Sequence, residues 1–233
     1  MAHYDVIIIG GGHAGAEAAY HAAQMGASVL VISSSKEKIG GTSCNPAIGG
    51  IGKTHIVKEI DVYQGVMPRA ADRAAIHYRT LNQKKGKAVQ ATRVQIDKNL
   101  YQKAVEELVF SHPHIQFISG MAQDILVESG RVTGVKLQDT IYYTHSVVVT
   151  TGTFLGGIIH IGTHKIPAGR FGDTGSSALA DFFKRHHFQT GQLKTGTPAR
   201  LDGRSIDWKN IGLQASEQCP DFVSRGTLPP HIN

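Results

Sequence analysis

Residues 5–19 read DVIIIGGGHAGAEAA, and this stretch decides the fold. The apolar, β-branched run VIII at its start is typical of a parallel strand that is buried on both faces. Gly10, Gly12 and Gly15 then match the pattern G-x-G-x-x-G, and an alanine-rich helix is predicted to run from there to about Met25. This order predicts a dinucleotide-binding unit, because the free N–H groups and the dipole at the amino end of the helix hold a pyrophosphate.

The second strand of this unit, predicted over residues 28–32, lacks the usual acid at its end. An aspartate or glutamate there normally binds the ribose of NAD. This chain instead has three serines at 33–35 and then Glu37, so a serine hydroxyl or Glu37 would have to bond the ribose. The departure weakens a simple NAD interpretation.

Alternating apolar residues further along predict more elements. They are a helix at 97–110, strands at 115–118, 125–128, 132–137 and 141–143, a buried strand from residue 147, and a helix at 176–187. The three short strands joined by tight turns form an antiparallel meander, and a meander of this kind favours FAD over NAD. The predicted fold is α/β: a Rossmann-like FAD-binding domain with a parallel sheet plus a small antiparallel meander, residues 1–155. The start of a second domain near the flavin follows at 156–233.

The composition predicts a globular, cytoplasmic protein. Hydrophobic residues are 41% and charged residues 18% of the 233, which excludes a disordered chain. No apolar run reaches the ~18 residues of a membrane span, and the amino terminus lacks the basic region of a secretory signal. Cys44 and Cys219 are too few for a disulfide framework, which points to a reducing compartment.

The whole net charge of +6 arises in one stretch, residues 79–103, which has seven basic residues and one acid. One interpretation is a solvated surface of loops and helix. The other is a surface that faces phosphates, because Lys and Arg that displace counterions dominate the affinity for nucleic acids. The second interpretation assigns nucleic-acid binding to Lys84, Lys85, Lys87 and Arg93.

A second glycine-rich block, residues 39–54, contains Cys44 and ends in Gly-Lys-Thr. A P-loop is excluded, because its first glycine would fall at Ala47 and no strand is predicted directly before the block. Cys44 has no second cysteine for a redox pair, so it is either a buried, inert thiol or a thiolate with a lowered pKa. The histidine pairs lack neighbouring carboxylates or cysteines, and no metal site is predicted.

Together these blocks resemble one family, GidA/MnmG, whose members are FAD-dependent and build the 5-carboxymethylaminomethyl group on the wobble uridine of certain tRNAs. The most specific match is SCNPAIGGIG at residues 43–52. Further matches are residues 5–19, KEID at 58–61, LN at 81–82, GTFL at 152–155, HIG at 160–162, the glycines and charged residues of 169–173, and LKTGTP at 193–198.

The resemblance implies roles for particular residues. FAD would be held by the turn and the helix start, which comprise Gly10, Gly11, Gly12, His13, Ala14 and Gly15. Two further residues, Ala122 and Ser176, would also contact it. Cys44 matches a cysteine that the modification requires. The resemblance also implies NADH as the reductant, a folate one-carbon donor, tRNA as the substrate, the GTPase MnmE as a partner, and a homodimer.

Three departures from the family are visible. Gly41-Thr42 replaces the family's Gln-Met, VYQG at 62–65 replaces ALGG, and Lys87 replaces a proline. Family members also run to roughly 600 residues, so we expect a fragment or a short relative that lacks the carboxy-terminal regions and is not fully active alone. Two alternatives stay open: a generic FAD/NAD(P)-dependent oxidoreductase, and a non-catalytic module that binds FAD or tRNA.

Overall fold

The computed structural model describes residues 3–42, 46–169, 178–191, 193–194, 199 and 201–218. The strands, in chain order, are β1 His3–Tyr4, β2 Val6–Ile9, β3 Val29–Ser33, β4 Ala47–Gly49, β5 Ala75–Leu81, β6 Ala91–Ile96, β7 Ile115–Ser119, β8 Asp124–Glu128, β9 Arg131–Leu137, β10 Thr140–Thr144, β11 Val147–Val149, β12 Ile158–Ile161 and β13 His164–Pro167. The α-helices are α1 His13–Gln24, α2 Thr54–Val62, α3 Val66–Arg73, α4 Lys98–Phe110 and α5 Ala178–Arg185.

A four-stranded parallel sheet lies at the centre, in the order β11-β2-β3-β7. Its strands are the buried apolar runs of the sequence, and β2 is buried along its whole length. Helix α1 connects β2 to β3, as the glycine pattern predicts. The α/β class and the parallel sheet are thereby confirmed; the bounds of β2, β3 and β7 agree with the predicted ones to within one residue, whereas the strand predicted over residues 147–152 ends at Val149.

The predicted meander is the second sheet, in which β8, β9 and β10 are antiparallel neighbours. The two-residue strand β1 extends this sheet by pairing parallel to β10, with His3 opposite Tyr143. The predicted helix at 176–187 corresponds to α5, and its first two residues lie outside the described part of the chain.

A third sheet, with the order β4-β6-β5, was not predicted from the sequence. Strands β5 and β6 cover residues 79–81 and 91–96 of the basic stretch, while the connection between them and the start of α4 account for the rest of it. The strands form because every second residue of β6 is apolar or small: Thr92, Val94 and Ile96 are buried against α2 and α3, while Arg93 and Gln95 point to the other side.

Two hydrophobic clusters hold these layers together. One packs Ile8, Val29 and Val31 of the parallel sheet against α1, α3 and α4. The other packs the opposite face, with Ile7 and Leu30, against the meander and α5. No helix in the described ranges is long and apolar enough to cross a membrane. The parallel sheet is therefore covered on both sides, and the carboxyl ends of β2 and β3 form an edge where a ligand can bind.

Candidate functional site

The turn after β2 brings three pieces of backbone into close contact. Gly10 has φ +110°, a conformation that favours glycine, and its N–H donates to the carbonyl of Ile32 at 2.9 Å. A Cβ on Gly10 would overlap the carbonyl oxygen of Thr150. The Thr150 hydroxyl donates in turn to the Gly10 carbonyl at 2.9 Å. The first glycine is thus required by the contact between β2 and the segment after β11.

The other two glycines of the pattern have different surroundings. A Cβ on Gly15 would overlap the Gly10 carbonyl oxygen and lie 2.8 Å from the Thr150 hydroxyl, so this glycine lets α1 pack against the turn. A Cβ on Gly12 would meet nothing within 4 Å, and the φ of −73° at Gly12 is open to any residue. Nothing among the described residues requires Gly12 to be glycine.

The amino end of α1 is suited to an anion. Gly12 is the N-cap and provides no capping side chain, and Gly12 and Ala14 are both exposed. The N–H groups of the first helical turn have no partner inside the helix, and they carry the positive end of its dipole. A pyrophosphate placed over Gly12 would accept hydrogen bonds from this turn.

A cavity of about 240 Å³ opens beside the turn, at the carboxyl ends of β2 and β3. Gly10 and Ala122, which the sequence assigned to the same cofactor, both line it. Ser33, Ser34 and Lys38 line it too, so serine hydroxyls stand where the ribose-binding acid is expected. Glu37 is exposed and accepts a hydrogen bond from Ser35 at 2.6 Å, which lowers the pKa of its carboxyl.

His13 packs into the protein interior. Its ring centroid lies 5.6 Å from that of Tyr101, which is fully buried in α4. Burial lowers the pKa of His13 and raises that of Tyr101, which the charge of Glu17 raises further. His13 therefore contributes its backbone N–H to the anion-binding turn and its neutral ring to the contact between α1 and α4.

Two acids near this site were missed by sequence reasoning. Glu17 of α1 is buried, and its carboxylate accepts from the N–H groups of Val66, at 2.9 Å, and Met67, the first residues of α3. Asp72 of α3 has two buried carboxylate oxygens with no hydrogen-bond partner among the described residues. Burial, and secondly the charge of Asp61, raises the pKa of Asp72 to about 7. No local pattern marks either acid, because both roles depend on packing between helices.

The second glycine-rich block is described only in part, since Ser43, Cys44 and Asn45 lie outside the described residues, as does Ser176. Strand β4, which was not predicted, lies inside this block and ends at Gly49, and the residues directly before the block, 36–38, form a single 3-10 turn. A P-loop remains excluded by geometry. The Thr54 hydroxyl donates to the Thr92 carbonyl at 2.7 Å and accepts from the Gly50 N–H at 3.0 Å, so it ties α2 to β6.

The four predicted nucleic-acid residues fall into two groups. Lys84, Lys85 and Lys87 are exposed in the connection between β5 and β6. Arg93 lies within β6 and is half-buried. The lysines can attract a polyanion through solvent, whereas Arg93 belongs to the folded sheet.

The family described as glucose inhibited division protein A matches residues 5–227. Among curated proteins, the chain is 50% identical over 216 residues to the tRNA uridine 5-carboxymethylaminomethyl modification enzyme MnmG of Zymomonas mobilis, covering 92% of this chain and 35% of the relative. It is 47% identical over 236 residues to the MnmG of Granulibacter bethesdensis, covering 100% of this chain and 37% of that protein.

Among solved structures, GidA of Aquifex aeolicus superposes with a TM-score of 0.89 at 43% identity. The superposition covers 95% of this chain and 37% of the Aquifex chain. The chain thus spans a little over a third of the length of the relatives it matches. With a family match over nearly all of its residues and the glycine turn in place, the chain belongs to the GidA family.

Proposed function

We propose that this chain is the FAD-binding part of an enzyme that adds a carboxymethylaminomethyl group to C5 of the wobble uridine in tRNA. The observation that carries the proposal is the glycine turn beside the 240 Å³ cavity, in a chain that is about half identical to enzymes named for this modification. Gly12 supports the proposal most directly, because no atom of the described protein lies within 4 Å of the position that its Cβ would take, which leaves room for a pyrophosphate.

FAD would be held by Gly10, Gly11, Gly12 and the first turn of α1, with its adenosine half in the cavity beside Ala122. The exposed N–H groups at the head of α1 would hold the pyrophosphate, and the hydroxyls of Ser33 and Ser34, which line the cavity, would form hydrogen bonds with the ribose. When bound, FAD supplies hydride-transfer chemistry. We assign NADH as its reductant from the family resemblance.

Cys44 is proposed as the nucleophile toward the uridine. Its thiolate would add to C6, and the electron pair of the C5=C6 bond would move onto C5, which then attacks an electrophilic one-carbon unit. Loss of the C5 proton and departure of the thiolate would restore the double bond. The family motif at residues 43–52 supports this role, and the neighbouring Lys53 would favour the ionised thiol.

The substrate and partners follow from the same resemblance. tRNA would bind along the exposed lysines Lys84, Lys85 and Lys87 and along Arg93. A folate would carry the one-carbon unit, the GTPase MnmE would act as a partner, and the working form would be a cytoplasmic homodimer. These assignments belong to the complete enzyme, of which this chain matches about a third.

A chimera tests the function. This chain replaces the residues of the Zymomonas mobilis relative that align with it. The chimera is then supplied with tRNA, NADH, a methylene folate, glycine and the GTPase partner. We expect mass spectrometry of the tRNA nucleosides to detect 5-carboxymethylaminomethyluridine. The Cys44→Ser chimera should form none, while the matched Cys219→Ser chimera should form normal amounts.

Two results would count against the proposal, at different points. A Cys44→Ser chimera that works at the rate of the unaltered chimera would remove the catalytic assignment. A chimera that binds flavin and tRNA but never forms the modified nucleoside would contradict the function and favour a generic oxidoreductase or a binding module.

A further inference from the structure

The third sheet has a basic outer face. Its inner face is apolar and buried, with Ile48, Tyr78 and Val94 in the hydrophobic core. Side chains alternate along a strand, so the residues between them point outward. We call the outward side the arginine face, and it is formed by Gly49 of β4, His77 and Arg79 of β5, and Arg93 and Gln95 of β6.

Two arginines are direct neighbours on the arginine face. Arg93 lies opposite Arg79 on one side and opposite Gly49 on the other. Like charges directly opposite each other in an antiparallel pair destabilise a sheet. An anion that lies against the pair would relieve this repulsion.

Glu217 supplies one such anion. Its carboxylate lies 3.3 Å from Arg79 Nη1 and accepts from the Thr80 N–H at 2.9 Å and from the Gln83 side-chain amide at 2.8 Å. The hydrogen bond from the Thr80 N–H lowers the pKa of Glu217. The charge of Arg79 and the hydrogen bond from Gln83 lower this pKa further. Arg79 is therefore neutralised within the protein, and a carboxylate already occupies its side of the face.

Arg93 has no such partner among the described residues. Its Nε is buried and makes no hydrogen bond to any of them, although the residue as a whole is half-buried. A buried donor without a partner costs free energy, and a guanidinium most readily satisfies it with a phosphate or a carboxylate bound through two parallel hydrogen bonds. The described residues supply no second anion for Arg93, and a ligand anion would satisfy this donor.

We propose that Arg93 binds a single backbone phosphate of the tRNA, close to the uridine that is modified, while the Glu217–Arg79 pair holds the arginine face in shape. The inference rests on the proposed function for the identity of the polyanion. Gly49, opposite Arg93, is five residues after Cys44 in the chain, a separation that extended backbone spans in at most about 18 Å, so a phosphate on Arg93 would lie within reach of the reactive nucleotide. The exposed lysines would then attract the tRNA without fixing its orientation, and Arg93 would fix the position of one phosphate.

The test separates the effect of the positive charge of Arg93 from the effect of its planar guanidinium. tRNA affinity is measured as a function of salt for Arg93→Lys and Arg93→Gln, with Lys103→Gln on α4 as the charge-matched control. Arg93→Gln should weaken binding about tenfold and lower the log–log salt slope by about 1 unit. Arg93→Lys should keep the slope but still lose several-fold in affinity, because an ammonium cannot bind a phosphate through a planar fork. Flavin content serves as the check of folding.

A second arm identifies the phosphate. Anticodon stem-loops are prepared with one neutral methylphosphonate at each position around the wobble uridine. The penalty of Arg93→Gln should vanish for one of the phosphates flanking that uridine and persist for the others.

Two outcomes would overturn the inference: a penalty that is the same for every methylphosphonate, or an Arg93→Lys protein that binds like wild type. A wild-type protein that does not bind tRNA at all would instead contradict the proposed function.

Discussion

At the scale of single residues, the three glycines of the turn have different surroundings. Gly10 needs its positive φ, Gly15 needs the absence of a Cβ for packing, and Gly12 needs neither. The sequence pattern predicts all three positions, but only the surroundings separate the two that the fold requires from Gly12, which we propose serves a ligand.

Gly15→Ala should therefore destabilise the fold. In a helix, alanine is favoured over glycine by about 1 kcal/mol, but here its Cβ would overlap the backbone carbonyl of Gly10, which cannot move without disturbing β2. We expect a net loss of about 1–3 kcal/mol in the free energy of unfolding, measured with urea. Gly12→Ala is the control and should cost less than about 1 kcal/mol. Equal stabilities of the two variants would disprove the packing role of Gly15.

Asp72 predicts a pH dependence of stability. Its pKa is raised from 3.8 to about 7, so the folded chain keeps a proton that the unfolded chain releases. The free energy of unfolding therefore falls as the pH rises from about 4 to 7. Asp72→Asn should be more stable than wild type at pH 8, by about 1–2 kcal/mol, with the gain shrinking toward pH 4. The exposed Asp139→Asn is the control, and a gain that does not change with pH would contradict the assignment.

At the scale of secondary structure, one side chain joins two helices. Glu17 of α1 accepts from the first N–H groups of α3, which have no partner within their own helix. Its negative charge also lies at the positive end of the α3 dipole. The cofactor helix and the helix that supports it are thus fixed to each other by a buried carboxylate.

Glu17→Ala should lower the free energy of unfolding by about 1–3 kcal/mol, because it leaves the buried N–H of Val66 without an acceptor. Glu17→Gln should lose less, since its amide oxygen still accepts one hydrogen bond. Urea unfolding measures both, with Glu59→Ala on the exposed side of α2 as a control that should change stability by less than about 0.5 kcal/mol. Equal losses for Gln and Ala would argue against the capping role.

The sequence predicts an element or a contact when the residues that specify it are close together in the chain. The unit of β2, α1 and β3 and the meander were predicted because their patterns lie within neighbouring residues. Strands β5 and β6 were missed because arginine and lysine suggested a solvated surface, although the alternation of Val94 and Ile96 with Arg93 and Gln95 has the period of a strand. Glu17 was missed because its partners are 49 and 50 residues away.

At the scale of the whole molecule, the uneven charge is the dominant feature. Residues 79–103 carry the net +6, and the structure distributes them over the end of β5, its connection to β6, β6 itself and the start of α4. Three of the basic residues are exposed in one connection, which is the arrangement expected of a surface that attracts a polyanion.

Replacing Lys84, Lys85, Lys87 and Arg93 together by alanine should flatten the log–log salt dependence of tRNA affinity. At ~0.7 per contact, four lost phosphate contacts lower the slope by about 3 units. A matched quadruple variant of Lys98 and Lys103 on α4, Lys136 on β9 and Lys165 on β13 removes the same charge outside the connection and β6, and should leave most of the slope. If the two variants behave alike, only net charge matters and the surface has no dedicated role.

The central claim, that the glycine turn holds FAD, is tested most directly by the flavin absorbance of the purified protein with Gly12→Val. A Cβ at this position would meet nothing within 4 Å and the φ is unstrained, so we expect circular dichroism to report a folded chain. Gly212→Val, where a Cβ also meets nothing, is the control. We predict that wild type and Gly212→Val retain flavin and that Gly12→Val loses it. A folded Gly12→Val protein with the flavin absorbance of wild type would contradict the account.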